Sequence, residues 1–436
     1  VANGAAGRRL FGTDGVRGVA GEFLSAELAL ALARAATARI QQSAPARVLV
    51  IRDTRESGAM LEAAVAAGIA AAGGEALLGG VLPTPAAPLL VRRHGYDLGI
   101  VLSASHNPYQ DNGIKFFGSD GYKLDDATEL EIEGLIETHP PAPRVGFVQR
   151  IDGALGHYLE ALHERFAALD LRGVQVALDC ANGATYKAAP KIFRRLGADV
   201  TVTAAEPDGR NINAGCGSTH LDHLRTVLDG HDAGFAFDGD GDRVLAIDRT
   251  GAMVDGDELI ALAATHLGAE GVAVTVMTNY GFHQAMRARG IEVATTPVGD
   301  RYVLEALRER GWRLGGEQSG HIIDTRFVPS GDGIAAALLA MEALEGSGLH
   351  ERHAMEKLPQ TLVNIRLDDR AALTHAVDAV DAEVGRESAA LEGRGRVLVR
   401  PSGTEPLVRV MVEAPTQDHA ESVAIRLAGA IERAAG

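Results

Sequence analysis

Short apolar runs alternate along the chain with longer segments in which apolar positions recur every three or four residues. The short runs match buried strands and the longer segments match helices, and their alternation is the pattern of α/β layers. Strands are predicted over residues 47–51, 98–102, 174–178, 234–237, 272–276 and 314–316. Helices are predicted over 61–72, 188–196, 257–267, 301–310, 334–344 and 422–434.

One arrangement recurs three times, at intervals much longer than a solenoid repeat. Each copy opens on a strand that runs into a polar turn: Arg52-Asp53, then Asp179-Cys180-Ala181-Asn182-Gly183, then Met277-Thr278-Asn279. A later strand in each copy ends in an unusual loop. These loops read Ser103-Ala104-Ser105-His106-Asn107-Pro108, Asp238-Gly239-Asp240-Gly241-Asp242-Arg243 and Glu317-Gln318-Ser319-Gly320-His321. Ligands of α/β sheets sit beyond the carboxyl ends of the strands, so three such copies would aim three loops at a shared cleft. Beyond residue 357 the pattern becomes strand, helix, strand, strand, helix, with Arg400-Pro401-Ser402-Gly403-Thr404-Glu405-Pro406 between the later strands. The expected fold is therefore α/β: three similar domains with mixed sheets, over 1–152, 153–255 and 256–357, and a smaller α+β domain over 358–436.

Composition narrows the function. A chain of 436 residues with 46% apolar content can bury several cores. The Ala/Leu-rich stretch 28–40 is cut by Arg34 and Arg39, so no membrane span is expected. The opening residues lack an apolar signal core, residues 1–7 read as a frayed tail, and Cys180 and Cys216 are too few for a disulfide framework. A reducing cytoplasm is the expected location. The net charge of −16 opposes binding of nucleic acid. A small anionic substrate stays possible, because a few converging arginines outweigh a diffuse surface charge at short range. The 52 glycines exceed an average share of about 7%, as tight functional loops would require.

The loop Asp238–Arg243 places carboxylates at alternate positions with glycines between them, so a curled backbone can turn all three toward one point. Hard oxygen ligands suit Mg²⁺, which usually completes its shell with water or phosphate. An EF-hand calcium sensor is disfavoured, since Arg243 stands at loop position six and Arg249 at position twelve. A solvated acidic turn is the alternative, set against the apolar strand before the loop and the cation beside it. Ser105 shares its loop with His106, Asn107 and Pro108, followed by Asn112, Gly113 and Lys115. Pro108 is expected to hold the turn and Gly113 to supply an uncommon backbone angle.

Serine and histidine often meet in ordinary turns, but the aspartate loop changes the reading. A phosphoserine beside Mg²⁺ is a good phosphoryl donor. Lys115 is either a general base toward a sugar hydroxyl or a surface lysine. The stretch Phe11–Gly18 either carries Arg17 to the cleft or is a glycine-rich turn with a structural arginine. Arg400–Thr404 is either a phosphate cradle or a hairpin loop. Glu317 and Ser319 either grip vicinal hydroxyls or form a capping turn.

In this order and spacing, the four loops resemble the α-D-phosphohexomutase superfamily, from Leu10 to the C-terminus. The resemblance implies four domains around a central active-site cleft and an intramolecular phosphotransferase of the isomerase class. Ser105 would be the phosphoserine, and one Mg²⁺ per chain would sit on Asp238, Asp240, Asp242 and a phosphoserine oxygen. Glu317 and Ser319 would bind the sugar. Arg400, Ser402, Gly403, Thr404 and Arg409 would hold the phosphate that is not reacting. Arg17, His106, Lys115, Arg243 and His321 would surround the reacting centre. Ser103–Pro108, Asn112–Lys115 and Gly316–His321 look like the branch that acts on glucosamine phosphates, because relatives acting on glucose or mannose phosphates usually have Met where Gln318 stands. Asp300 falls where those relatives often carry histidine, so their general acid/base is not carried over.

The implied reaction interconverts glucosamine 6-phosphate and glucosamine 1-phosphate through glucosamine 1,6-bisphosphate, which also activates the enzyme. It would feed UDP-N-acetylglucosamine and peptidoglycan synthesis. A phosphoglucomutase or phosphomannomutase on the same scaffold and a serine-dependent metal phosphatase are the rivals. The expected partner is a small phosphosugar, with no nucleic acid or membrane, and the chain is expected as a monomer or homodimer.

Overall fold

The computed structural model describes residues 10–12, 14–41, 44–138, 142, 144–366, 376–401 and 407–435. The first sheet holds β1 (Val16–Val19), β2 (Arg47–Arg52), β3 (Glu75–Val81), β4 (Leu98–Leu102), β5 (Asp111–Gly118) and β6 (Phe147–Arg150), in the order β1-β5-β4-β2-β3-β6. The second holds β7 (Gln175–Asp179), β8 (Asp199–Thr203), β9 (Ala233–Phe237), β10 (Val244–Asp248) and β11 (Met253–Val254), ordered β11-β10-β9-β7-β8. The third, ordered β13-β12-β14-β15, holds β12 (Gly271–Thr275), β13 (Glu292–Thr296), β14 (Leu314–Gly316) and β15 (Ile322–Asp324). A small antiparallel sheet β16-β18-β17 is built from β16 (Gln360–Arg366), β17 (Arg396–Pro401) and β18 (Leu407–Glu413).

The first three sheets contain one motif. Its strand order is second, first, third, fourth: β3-β2-β4-β5, β8-β7-β9-β10 and β13-β12-β14-β15. In each, the third strand runs parallel to the first and the fourth antiparallel to the third. The connection between the third and fourth strands therefore leaves the sheet at a carboxyl end and returns at once. Those connections are the Ser105 loop, the aspartate loop and the Glu317–His321 loop, so the threefold recurrence in the sequence is a threefold recurrence of structure.

The helices of the first domain are α1 (Ala26–Ile40), α2 (Gly58–Ala71), α3 (Ala86–His94) and α4 (Asp126–Thr138). Then follow α5 (Ala154–Arg165), α6 (Ala188–Arg195) and α7 (Leu221–Arg225), and next α8 (Gly256–His266), α9 (Tyr280–Ala288), α10 (Asp300–Arg310) and α11 (Gly333–Ala343). The C-terminal part has α12 (Asp381–Ala390) and α13 (Gln417–Ala435). Leu32, Ala33 and Ala36 of α1 and Leu61, Val65 and Ile69 of α2 are buried in one core with Val48, Val50, Ile100 and Leu102 of the sheet. Asp255 and Glu258 form a capping box at the start of α8, satisfying backbone donors that the first turn leaves open. Among the described residues no helix is long and apolar enough to cross a membrane.

The chain forms two compact units. One runs to Val276 and includes Ala294–Arg352; it contains the Ser105, aspartate and Glu317 loops. The other joins Met277–Val293 to the chain from His353 onward. Within that second unit the Glu413 carboxylate accepts from the Tyr280 N–H (3.0 Å) and pairs with Arg396, which also donates to Thr278 O (2.9 Å). The Asn279 side chain exchanges hydrogen bonds with both backbone groups of Leu358. These contacts tie residues 278–280 to the small sheet.

Candidate active site

All five residues of β4 are buried, and the chain leaves the strand into a loop that folds back on β5. Ser105 is buried there and takes φ +51°, a left-handed conformation that costs a non-glycine residue about 1–3 kcal/mol unless the surroundings fix it. The Ser103 hydroxyl accepts its N–H (3.0 Å), and Arg55 Nη2 and Asn213 Nδ2 both donate to its carbonyl (2.9 Å each). Its own hydroxyl donates to Asp238 Oδ2 at 2.5 Å and lies 3.4 Å from His106 Nδ1. Gly113 was expected to supply the uncommon angle. It lies within β5 instead, and its need is space: a Cβ there would stand 2.4 Å from Ser103 O.

The aspartate loop follows β9, whose five residues are also buried. Gly241 takes φ +73°, and a Cβ on Gly239 would come within 2.7 Å of both Ser105 O and Asn213 Nδ2. Glycine is thus required at both positions, and the aspartate loop packs directly on the serine loop. Asp238, Asp240 and Asp242 are buried, and one oxygen from each lies within 4.8 Å of the others. Asp240 Oδ1 and Asp242 Oδ1 are buried without a hydrogen-bond partner. Buried orphan carboxylate oxygens in an all-oxygen set fit a hard divalent cation. Burial and the charges of Asp242 and Asp240 push the Asp238 carboxyl well above the usual range. Burial would also raise Asp242, but Lys115, His321 and Arg243 outweigh it and hold that carboxyl well below the usual range. Such a divided triad is what crowded like charges produce, and a bound cation would relieve it.

A ring of cations surrounds these carboxylates. The buried Lys115 ammonium reaches Asp240 (2.9 Å), Asp14 (3.2 Å) and Asp242 (3.6 Å). Burial opposes its charge, yet the three carboxylates win and raise its pKa. Lys115 is therefore a buried cation held among carboxylates, not a surface lysine. Asp14 also takes Arg17 and Lys123, and Lys123 goes on to Asp300 at 2.5 Å. The charges of Asp240 and Asp242 act on Arg17 as well, so the glycine-rich stretch does bring that arginine to the centre. Burial, Arg243 and Arg17 lower the His106 pKa, leaving a neutral imidazole at neutral pH. Burial disfavours charge on His321, while Asp242 and Asp300 outweigh it and raise its pKa. The Gly331 N–H donates to Nε2 (3.1 Å), a contact that needs a lone pair and so opposes the charged ring, while Nδ1 faces Asp242 at 3.6 Å.

Glu317 opens a tight turn closed by the Gly320 N–H on its carbonyl, with Ser319 exposed at the tip. Its carboxylate accepts the N–H of Gly299, which caps α10, and its charge also acts on Arg243 and His321. Glu317 thus supports the start of α10 while its charge reaches Arg243 and His321. In the second unit Arg400 and Arg409 are direct neighbours across β17 and β18. Burial and the Arg409 charge lower the Arg400 pKa. Ser402, Gly403 and Thr404 lie outside the described residues.

Several residues of the centre were not singled out by sequence. Thr84 donates its hydroxyl to Asp240 Oδ2 (2.7 Å). Asp14 gathers three cations, and Arg55 and Asn213 hold the Ser105 carbonyl. Asp53 and Arg55 carry a usable signal, because they follow a buried strand at its carboxyl end just as the three functional loops do. Lys123 and Asn213 carry none, since tertiary contacts alone place them.

The sequence matches the family profiles of phosphoglucomutase/phosphomannomutase: alpha/beta/alpha domain I over residues 8–142, domain II over 156–251, domain III over 255–362, and the C-terminal domain over 362–430. The chain belongs to the phosphoglucomutase/phosphomannomutase family. The expectation drawn from the four loops is met. Among its relatives, the phosphoglucosamine mutase of Deinococcus deserti is 48% identical over 441 residues, covering 98% of each chain. The phosphoglucosamine mutase of a Parafrankia species is 50% identical over 466 residues, covering 98% of this chain and 99% of that one. A crystal structure of a phosphoglucomutase/phosphomannomutase family protein from Burkholderia thailandensis shares the fold, with a TM-score of 0.83 at 24% identity over 97% of both chains.

Proposed function

We propose that the chain is a Mg²⁺-dependent phosphosugar mutase that interconverts glucosamine 6-phosphate and glucosamine 1-phosphate. The observation that carries this reading is the Ser105 hydroxyl 2.5 Å from Asp238, inside a buried three-carboxylate loop. Family relatives of about half identity over their whole length, bearing the name phosphoglucosamine mutase, support the choice of sugar.

On this reading Ser105 works as a phosphoserine. Its Oγ–P bond breaks as the 1-hydroxyl oxygen of glucosamine 6-phosphate forms a new O–P bond, giving glucosamine 1,6-bisphosphate, and the hydroxyl proton ends on the Ser105 oxygen. The sugar turns around, the 6-phosphoryl group passes to Ser105, and glucosamine 1-phosphate leaves. A Mg²⁺ held by Asp238, Asp240 and Asp242 would neutralise the oxygens of the transferring group. Lys115, Arg17 and Arg243 supply further fixed positive charge where negative charge develops. Glu317 and Ser319 bind sugar hydroxyls, and Arg400 and Arg409, with Ser402, Gly403 and Thr404, take the phosphate that is not reacting. His321 and His106 border the reacting centre as polar, mostly buried rings. The domains divide near 152, 255 and 357, and the product supplies UDP-N-acetylglucosamine synthesis in the cytoplasm.

The test compares kcat/KM for glucosamine, glucose and mannose 6-phosphates, with the products identified. Preference for glucosamine 6-phosphate is expected. Preference for either neutral sugar would favour the rival mutases, and net release of inorganic phosphate would favour a phosphatase.

A further inference from the structure

Arg55 and Asn213 lie outside the loops that define the reaction, yet both end on the carbonyl of Ser105. The end of β2 lies beside the end of β4, where Asp53 N–H donates to Leu102 O (3.0 Å). The turn after β2 therefore starts next to the serine loop. Asp53 Oδ1 accepts the Arg55 N–H (3.0 Å), while Oδ2 accepts Arg55 Nε (2.9 Å) and the Ser103 hydroxyl (2.7 Å). Thus oriented, the Arg55 guanidinium spends its remaining donors on one loop. Nη2 donates to Ser105 O and Asn107 O, both at 2.9 Å, and Nη1 donates to Pro108 O and to Asp111 O (2.9 Å). Arg55 is 1% exposed, so its guanidinium takes these four carbonyls in place of water.

Asn213 reaches the same carbonyl from the second domain. Its N–H donates to Ala181 O (2.9 Å), its φ is +58°, and Nδ2 lies 2.9 Å from Ser105 O. Gly239, at the start of the metal loop, has no room for a Cβ because Ser105 O and Asn213 Nδ2 crowd it. Arg55, Asn213 and the metal loop thus meet at one backbone oxygen, belonging to the residue whose hydroxyl faces Asp238.

We propose that Arg55 and Asn213 are positioning residues that register Ser105 against the metal loop for phosphoryl transfer, an inference that rests on the mutase reading of Ser105. An Arg–Asp pair buried for stability alone is replaceable by apolar groups of similar volume. A planar fork that fixes four carbonyls in one geometry is not, and lysine cannot reproduce it. Misplacing a reacting atom by about 1 Å can cost on the order of 100-fold in rate.

The test uses Arg55→Lys and Asn213→Gly in the full chain with Mg²⁺. Glycine accepts the left-handed φ at 213, so that variant removes the amide donor without backbone strain. Steady-state kinetics and single-turnover transfer from the phosphorylated enzyme are measured beside thermal midpoints. The expected result is a fall in kcat and in the transfer rate of about 10- to 100-fold, with KM within about threefold of the parent. Should Arg55→Lys fail to fold, Asn213→Gly decides alone. Parent-like transfer rates in a folded variant, or a raised KM at unchanged kcat, would overturn the proposal. A parent enzyme that transfers nothing from Ser105 would instead overturn the mutase reading.

Discussion

Ser105 occupies a conformation that its residue type disfavours, and its neighbours explain why it stays there. Its N–H, carbonyl and hydroxyl are all engaged. A hydroxyl so fixed loses little freedom when it takes up or gives away a phosphoryl group. The aspartates show the same economy of placement: two of their oxygens are buried and unpartnered, which is unfavourable until a cation arrives. Asp240→Asn removes one charged ligand of similar shape. The Mg²⁺ concentration for half-maximal turnover is expected to rise about 10- to 100-fold. The parent, stripped by a chelator, should regain turnover when Mg²⁺ is restored. Equal Mg²⁺ dependence in parent and variant, measured by titration of initial rates, would remove Asp240 from the metal site.

At the scale of elements, the aspartate loop is also supported from α11. The Gly333 N–H at its start donates to Gly241 O (3.0 Å), and Asp332 caps the helix by accepting the Ala335 N–H (2.9 Å). The buried Tyr158 hydroxyl sits within 3.0 Å of both Asp332 oxygens. Burial raises the Asp332 carboxyl from 3.8 to about 6. The folded chain therefore holds this proton more tightly than the unfolded chain, and the stability it confers is lost as pH rises from about 4 through 6. Asp332→Asn keeps a cap acceptor and cannot ionise. Urea unfolding across that range should show the variant gaining on the parent by up to about 3 kcal/mol as pH rises. Parallel stability curves would contradict the assignment.

The elements themselves were partly legible. Strands β2, β4, β7, β9, β12 and β14 were found because they are buried apolar runs ending in turn residues. β6 was not, because all four of its residues are exposed and no alternation marks it. The predicted start of α2 at 61 misses the turn from Gly58, and that of α13 at 422 misses the turn from Gln417, where small or polar residues hide the period.

At the scale of the whole molecule, one sheet motif used three times presents three loops of different chemistry from equivalent strand ends. This was legible because the repeat shows in the order of strands and loops, and the family profiles span the chain in the same order. The contacts that assemble the centre were not. Lys123 meets Asp300 across 177 positions, and Asn213 meets Ser105 across 108. Neither residue type nor local spacing encodes such a meeting. The charge balance is likewise a property of the assembled molecule: a chain of net charge −16 gathers Arg17, Lys115, Lys123 and Arg243 around its buried carboxylates. At short range those cations offset the carboxylates they surround, whatever the overall charge.

The central claim is that Ser105 carries the phosphoryl group. It is tested most directly by the intact mass of the parent and of Ser105→Ala before and after incubation with a sugar 1,6-bisphosphate, followed by localisation of the modified residue. The account predicts one phosphoryl group on the parent, located at Ser105, and none on the variant, which stays folded without mutase turnover. Phosphate on another residue, or appreciable turnover by Ser105→Ala, would contradict it.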